Sequence, residues 1–148
     1  MVDYYENLDL KNLCRYVLKE YPKTSELKLN KLLYFIQAGS IHYFGEKVFK
    51  EVILAGQYGP IIKEACLLYK SKEKLLEKKC EAIRPTSLKT LIDEILEHFA
   101  NLSSFYLVDL TMSYSSWKRA WSLGTDIPFW SIKECHKELA IKQEGYIF

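Results

Sequence analysis

The segment 26–44 constrains this chain more than any other. It follows a break at Pro22 and stops at Gly45. Its apolar residues Leu29, Leu32, Leu33, Phe35, Ile36 and Ile41 fall on more than one helical face. A helix with no solvent side must be enclosed by other elements. The pattern predicts a mainly α, compact fold around a central buried helix at 26–44, ended by Gly45 as a left-handed cap.

The flanking segments supply the enclosure. Residues 8–21 set Leu10, Leu13, Cys14, Val17, Leu18 and Tyr21 at three- and four-residue spacing, an amphipathic helix stopped by Pro22. Thr24 or Ser25 caps the central helix, with Glu26 in its first turn. Residues 47–57 change character: Val48, Phe49, Val52, Ile53 and Leu54 are β-branched or aromatic, or flank such residues, between Gly45 and Gly56. They predict a small strand or hairpin. Pro60 reads as the first residue of a helix over 60–70. The charged run 71–84 reads as a solvated helical turn and loop. Thr86 or Ser87 opens an amphipathic helix to about Asn101, and Ser103 or Ser104 opens another. A short helix through Trp117–Trp121 breaks at Gly124. Asp126 caps a last helix, with Pro128 in its first turn, reaching about Lys142. A length of 148 residues fits one domain spanning 1–148.

The composition removes several function classes. The net charge is +2, carried over residues 1–70, with zero over 71–102 and zero over 103–148. No segment concentrates the positive charge that a phosphate backbone attracts, so nucleic acid is an unfavoured partner. No window of 18 apolar residues spans a membrane. The acidic start, Asp3 to Glu6, lacks the basic flank and apolar run of a signal peptide, and Cys14, Cys66, Cys80 and Cys135 form no CxxC, so reduced thiols and a cytoplasmic location are expected.

Chemistry has no anchor. No GxSxG elbow is present, and Gly39-Ser40 lies in the middle of a helix. Cys135 and His136 are adjacent, so on a helix they diverge by about 100°. His42, His98 and His136 never stand four residues from another His or Cys, which argues against a tetrahedral metal site. The glycines form no GxGxxG or P-loop. These readings predict no enzyme activity, no cofactor and no metal.

Aromatic content is the outlier. The 11 Tyr, 7 Phe and 3 Trp are hard to hide in one core, because each tyrosine hydroxyl wants a partner. Trp117 and Trp121, one helical turn apart, lie near Tyr114, Phe129 and Trp130 and beside Lys118 and Arg119. Two readings stand for this cluster: a cap on the core, or a partner surface.

Three stretches carry a resemblance. Lys28-Leu29-Asn30-Lys31-Leu32-Leu33-Tyr34-Phe35-Ile36-Gln37 is similar to a KLxKLLYFxQ helix. Val48-Phe49, then Tyr58-Gly59-Pro60-Ile61 and Tyr69, resemble a small strand, a GPV turn and a following helix. Leu110 to Ala120 stands where a segment ends in Trp-x-x-Ala. Together, over about residues 10–135, they resemble the Panacea antitoxin domain family, which includes SocA-like antitoxins and phage-associated proteins. Ile53-Leu54-Ala55-Gly56-Gln57 replaces the Glu-Ala-Trp of many members, and Met112, Tyr114 and Ser116 stand where a His and an acidic residue often precede Pro-Trp.

The resemblance implies a non-enzymatic protein-binding module, an antitoxin that neutralises a cognate toxin by direct contact. The alternatives are a phage or mobile-element protein that binds a host factor, including a protease-adaptor role, or a small-molecule-binding domain. The expected partner-facing residues are Tyr58, Tyr114, Trp117, Arg119 and Trp121. The family-motif residues Lys31, Leu32, Leu33, Tyr34, Gln37, Gly59 and Pro60 are expected to be structural, with Lys31 and Tyr34 placed to hydrogen-bond the turn at Tyr58-Gly59-Pro60.

Overall fold

The computed structural model describes residues 8–134. The central helix, α2 (Glu26–Phe44), follows α1 (Leu10–Glu20). Asp9 caps α1 by accepting from the Asn12 amide, and Ser25 caps α2 by accepting from the Lys28 amide. Every residue from Leu29 to Ile41 is buried, so α2 has no solvent face over these residues. Gly45 ends it with φ of 70°.

After α2 the chain makes two short strands, β1 (Leu54–Gly56) and β2 (Gly59–Ile61), paired antiparallel with Leu54 opposite Ile61 and Gly56 opposite Gly59. Four helices follow: α3 (Lys63–Lys70), α4 (Lys72–Glu77), α5 (Thr86–Phe99) and α6 (Ser104–Met112). Next come α7 (Ser115–Leu123) and α8, which runs over 129–134 and meets the end of the described residues. Helix α2 packs against α3, α5, α6 and β2, and one hydrophobic cluster joins the four helices. At its centre Phe35 lies flat on Phe99, ring centroids 4.1 Å apart.

Four sequence readings are corrected. The expected small hairpin is present, but its bounds shift: β1 lies within 47–57 and β2 extends past it to 61. Val48 and Phe49 are buried but outside either strand: both amides donate to Gln37 Oε1, so their main chain is paired by a helix side chain rather than by a strand. Pro60 is a strand residue rather than a helix start, because its carbonyl and the Ile62 amide are held by α2 side chains and α3 begins only at Lys63. Helix α5 starts at Thr86 with Pro85 in the cap position, so neither Thr86 nor Ser87 caps it through its side chain. Asp126 bridges Leu54 of β1 instead of capping α8, and the Ile127 amide donates to the Ile53 carbonyl at 2.8 Å. The expected end of the last helix near Lys142, like Cys135 and His136, lies outside the described residues.

Candidate functional site

Helix α2 carries polar side chains that an enclosed helix would ordinarily exclude. Their acceptors and donors are the main chain of the 46–62 excursion. Ser40 Oγ donates to the Glu46 carbonyl at 2.7 Å. Gln37 Nε2 donates to the Phe49 carbonyl at 2.8 Å while its Oε1 takes the Val48 amide. Asn30 Oδ1 accepts from the Ile62 amide at 2.7 Å, and Lys31 Nζ donates to the Pro60 carbonyl at 3.1 Å. A buried polar group must be paired, and here each pairs with backbone that has no ladder partner. The hairpin is thereby fixed on the central helix.

The motif residues divide by role. Leu32 and Leu33 are core. Lys31 reaches the turn, as its spacing suggested. Tyr34 does not: its hydroxyl meets Ser116 Oγ at 2.5 Å, which ties α2 to the first turn of α7. Gly59 has φ of 101°, and a Cβ there would stand 2.7 Å from Thr111 Oγ1 and 2.9 Å from Lys31 Cε.

Lys31 is 2% exposed, and burial lowers its pKa from 10.5 to about 8. Its pKa is lower folded than unfolded, so between pH 8 and 10.5 the unfolded chain holds more protons. Stability therefore gains from Lys31 as pH rises through that window, by at most about 3 kcal/mol. Cys14, pushed by burial from 9.0 to about 12, acts oppositely above pH 9. Chemical denaturation of the wild type and of Lys31→Met across this range isolates the lysine, since Cys14 is common to both. The wild type is expected to gain on the variant as pH rises from 8 to 10.5. A constant difference would refute the buried-charge account.

The aromatic surface lies on the other side of the hairpin. Trp117 is 7% exposed and its Nε1 donates to the Gly56 carbonyl at 3.0 Å, which clamps α7 to β1. Trp121, one turn later, stacks on Trp117 with centroids 5.4 Å apart and planes 12° apart, yet is 51% exposed. Beside it, Leu54, Ala55, Trp121, Gly124, Thr125 and Asp126 line a hollow of about 340 Å³. On α8, Trp130 is 57% exposed and the Arg119 guanidinium lies over its ring at 4.8 Å. Lys47 Nζ sits 5.8 Å from the Phe129 ring.

Of the expected partner-facing residues, Trp117 and Trp121 share one face of α7, whereas Arg119, two residues from each, turns away from them and lies over Trp130 of α8. Tyr58 is exposed at the hairpin tip. Tyr114 is fully buried, near Tyr34 and Phe35, and cannot meet a partner. Trp130 and Leu123 join the exposed set although the spacing rules did not select them. Trp130 lies nine residues past Trp121, a distance no single-helix pattern connects. Other large exposed apolar side chains, such as Phe105 and Leu67, stand on α6 and α3.

The titratable groups give little chemistry. Burial raises the Cys14, Cys66 and Cys80 thiols, which makes them poor nucleophiles near neutral pH. Among the described residues no three of His, Cys, Asp or Glu converge to hold a metal ion. No described helix is long and apolar enough to cross a membrane.

Residues 29–118 match the family described as antitoxin SocA-like, Panacea domain. The matched segment runs from the first buried residue of α2 into α7, so it contains the hairpin, its anchoring side chains and Trp117. Trp121 and Trp130 lie beyond it. No characterised protein and no solved structure shows a significant match to the chain.

Proposed function

Because the chain belongs to the SocA-like antitoxin family with a Panacea domain, we propose that it is the antitoxin of a toxin–antitoxin pair and neutralises its toxin by direct contact. The α7–α8 face is the docking surface. One observation carries this reading: Trp121 is half exposed although a fully packed tryptophan lies one turn away to cover it. Exposing an indole gives up hydrophobic free energy that burial under a partner recovers. Trp, Tyr and Arg are the residues that dominate interface energetics, and α7 and α8 expose Trp121 and Trp130, with Arg119 over the Trp130 ring and Tyr58 at the hairpin tip. Pre-stacking of Trp121 on Trp117 and of Arg119 on Trp130 limits the rotamer freedom lost on binding.

The family match stops at residue 118, before both exposed tryptophans. This supports a division in which the α2-and-hairpin core is the shared scaffold and the face beyond it sets the partner.

The test pairs the chain with a toxic product of a neighbouring open reading frame. Trp121→Ala and Trp130→Ala are expected to keep the wild-type melting temperature within a few degrees, because both side chains are mostly in water. Each is expected to weaken toxin binding by about 2 kcal/mol and to reduce rescue of toxin-expressing cells. Full rescue by the double variant would place the partner elsewhere. The absence of any toxic neighbour, with capture of a host protein instead, would replace the antitoxin reading by that of a host-factor binder.

A further inference from the structure

The opposite side of the hairpin holds a charge without a counter-ion. Glu26, Leu27, Asn30 and Lys31 of α2, with Gly56 to Gly59 and Ile61 of the hairpin, line a cleft of about 300 Å³. Lys31 is 2% exposed within it, and its Nζ has one acceptor, the Pro60 carbonyl. Among the described residues no carboxylate oxygen lies within 4.0 Å of that nitrogen. An ammonium carries three N–H donors, so Lys31 holds more donors than the fold uses.

The neighbours do not compensate it. Asn30 is committed, its Oδ1 to the Ile62 amide and its Nδ2 to the Glu26 carbonyl and Cys66 Sγ. Cys66 Sγ accepts from Asn30, the residue before Lys31, and burial raises the pKa of its thiol, so it stays neutral at pH 7 and contributes no negative charge. Glu26 is the one carboxylate in the lining, and it forms no ion pair with Lys31 within 4.0 Å. A buried ammonium with no opposing charge is costly, and an arriving carboxylate removes that cost. The room for one is the cleft itself, about 300 Å³, since the two glycines lie tight against their neighbours, with the Cβ position of Gly59 2.9 Å from Lys31 Cε.

We propose that this cleft is a carboxylate-binding site, in which Lys31 Nζ receives an acidic side chain of the partner protein. The assignment of the carboxylate to a partner rests on the protein-binding reading above, whereas the site itself is defined by Lys31 and the cleft. Tyr58, exposed at the hairpin tip and lining the cleft, would then touch the same partner. The hairpin would present two faces to it, aromatic on the α7 side and cationic on the α2 side.

The experiment needs no partner. The protein carrying ¹³C at lysine Cε is titrated by NMR in sodium chloride and in sodium acetate of equal ionic strength. Acetate is expected to raise the Lys31 midpoint by about 1 pH unit, saturably, as an opposite charge beside an ionisable group does. The Gly56 and Gly59 amide signals are expected to move with it. Lys31→Met should abolish the acetate response of those amides, its fold being checked by circular dichroism. Identical Lys31 midpoints in acetate and chloride would overturn the proposal. So would an undiminished amide response in Lys31→Met, since acetate would then bind elsewhere. Should that variant fail to fold, the wild-type titration decides alone. A missing acetate response beside an intact Trp121 hot spot refutes the cleft and leaves the docking face. An acetate response with no effect of Trp121→Ala does the reverse.

Discussion

Trp117→Ala is expected to cost about 3–5 kcal/mol of folding stability. The residue is 7% exposed, covers the core from α7, and supplies the hydrogen bond that holds the Gly56 carbonyl. Removing it leaves a cavity, takes from the Gly56 carbonyl its indole donor and removes the stacking support of Trp121. The melting temperature should fall by about 10 °C or more. Toxin rescue should fall only in proportion to the folded fraction, unlike the loss at Trp121, which should appear in a fully folded protein. Trp117→Phe refines the result: it keeps most of the buried ring but deletes the indole N–H, so about 1–2 kcal/mol of the loss should remain. A Trp117→Ala protein with wild-type stability and no rescue would assign the residue to the interface instead.

Gly59→Ala should be comparably damaging for a backbone reason. Its φ of 101° lies where side-chain-bearing residues are strained, and the added Cβ would meet Thr111 Oγ1 at 2.7 Å and Lys31 Cε at 2.9 Å. Thr111 cannot yield readily, since its hydroxyl donates to the Leu107 and Val108 carbonyls inside α6. Strain and overpacking together give about 3 kcal/mol or more. Thermal or urea unfolding measures it. Gly45→Ala is the control: it also has positive φ, but no atom lies within 4 Å of its Cβ position, so it should show the conformational penalty alone. Equal effects at the two glycines would mean that the close approach over Thr111 and Lys31 contributes nothing.

The helices were legible because periodicity and caps are local. The apolar coverage of 26–44 identified the buried helix, Gly45 its end and Ser25 its start. The small hairpin was also foreseen, and β1 lies inside the expected 47–57, but the residues before it are not strand, for an equally physical reason. Val48, Phe49 and Ile53 have the side chains of strand residues, and they are buried, but their backbone partners come from Gln37 and from Ile127. Strand propensity reports a side chain that fits a half-buried extended surface, and it does not say what pairs the main chain. Asp126 shows the same limit, since a good capping residue was taken by a bridge to a segment 72 positions away.

The candidate site divides along the same line. Local pattern alone established that an enclosed helix organises the chain, that its motif residues include Lys31, Tyr34 and Gln37, and that tryptophans cluster near α7. These follow from local spacing and from the free energy of burying apolar side chains. Which aromatics face water is fixed by the packing of distant segments. Tyr114 and Trp121 look equivalent as letters, yet one is sealed against Tyr34 and Phe35 and the other stands half in solvent. Their difference is set by which neighbours α2 and α7 bring within contact distance, and that depends on packing between segments about 80 residues apart. The same long-range packing buried Lys31 beneath the hairpin with one carbonyl and no carboxylate, which turns a residue type usually found in solvent into the most unusual charge in the described fold.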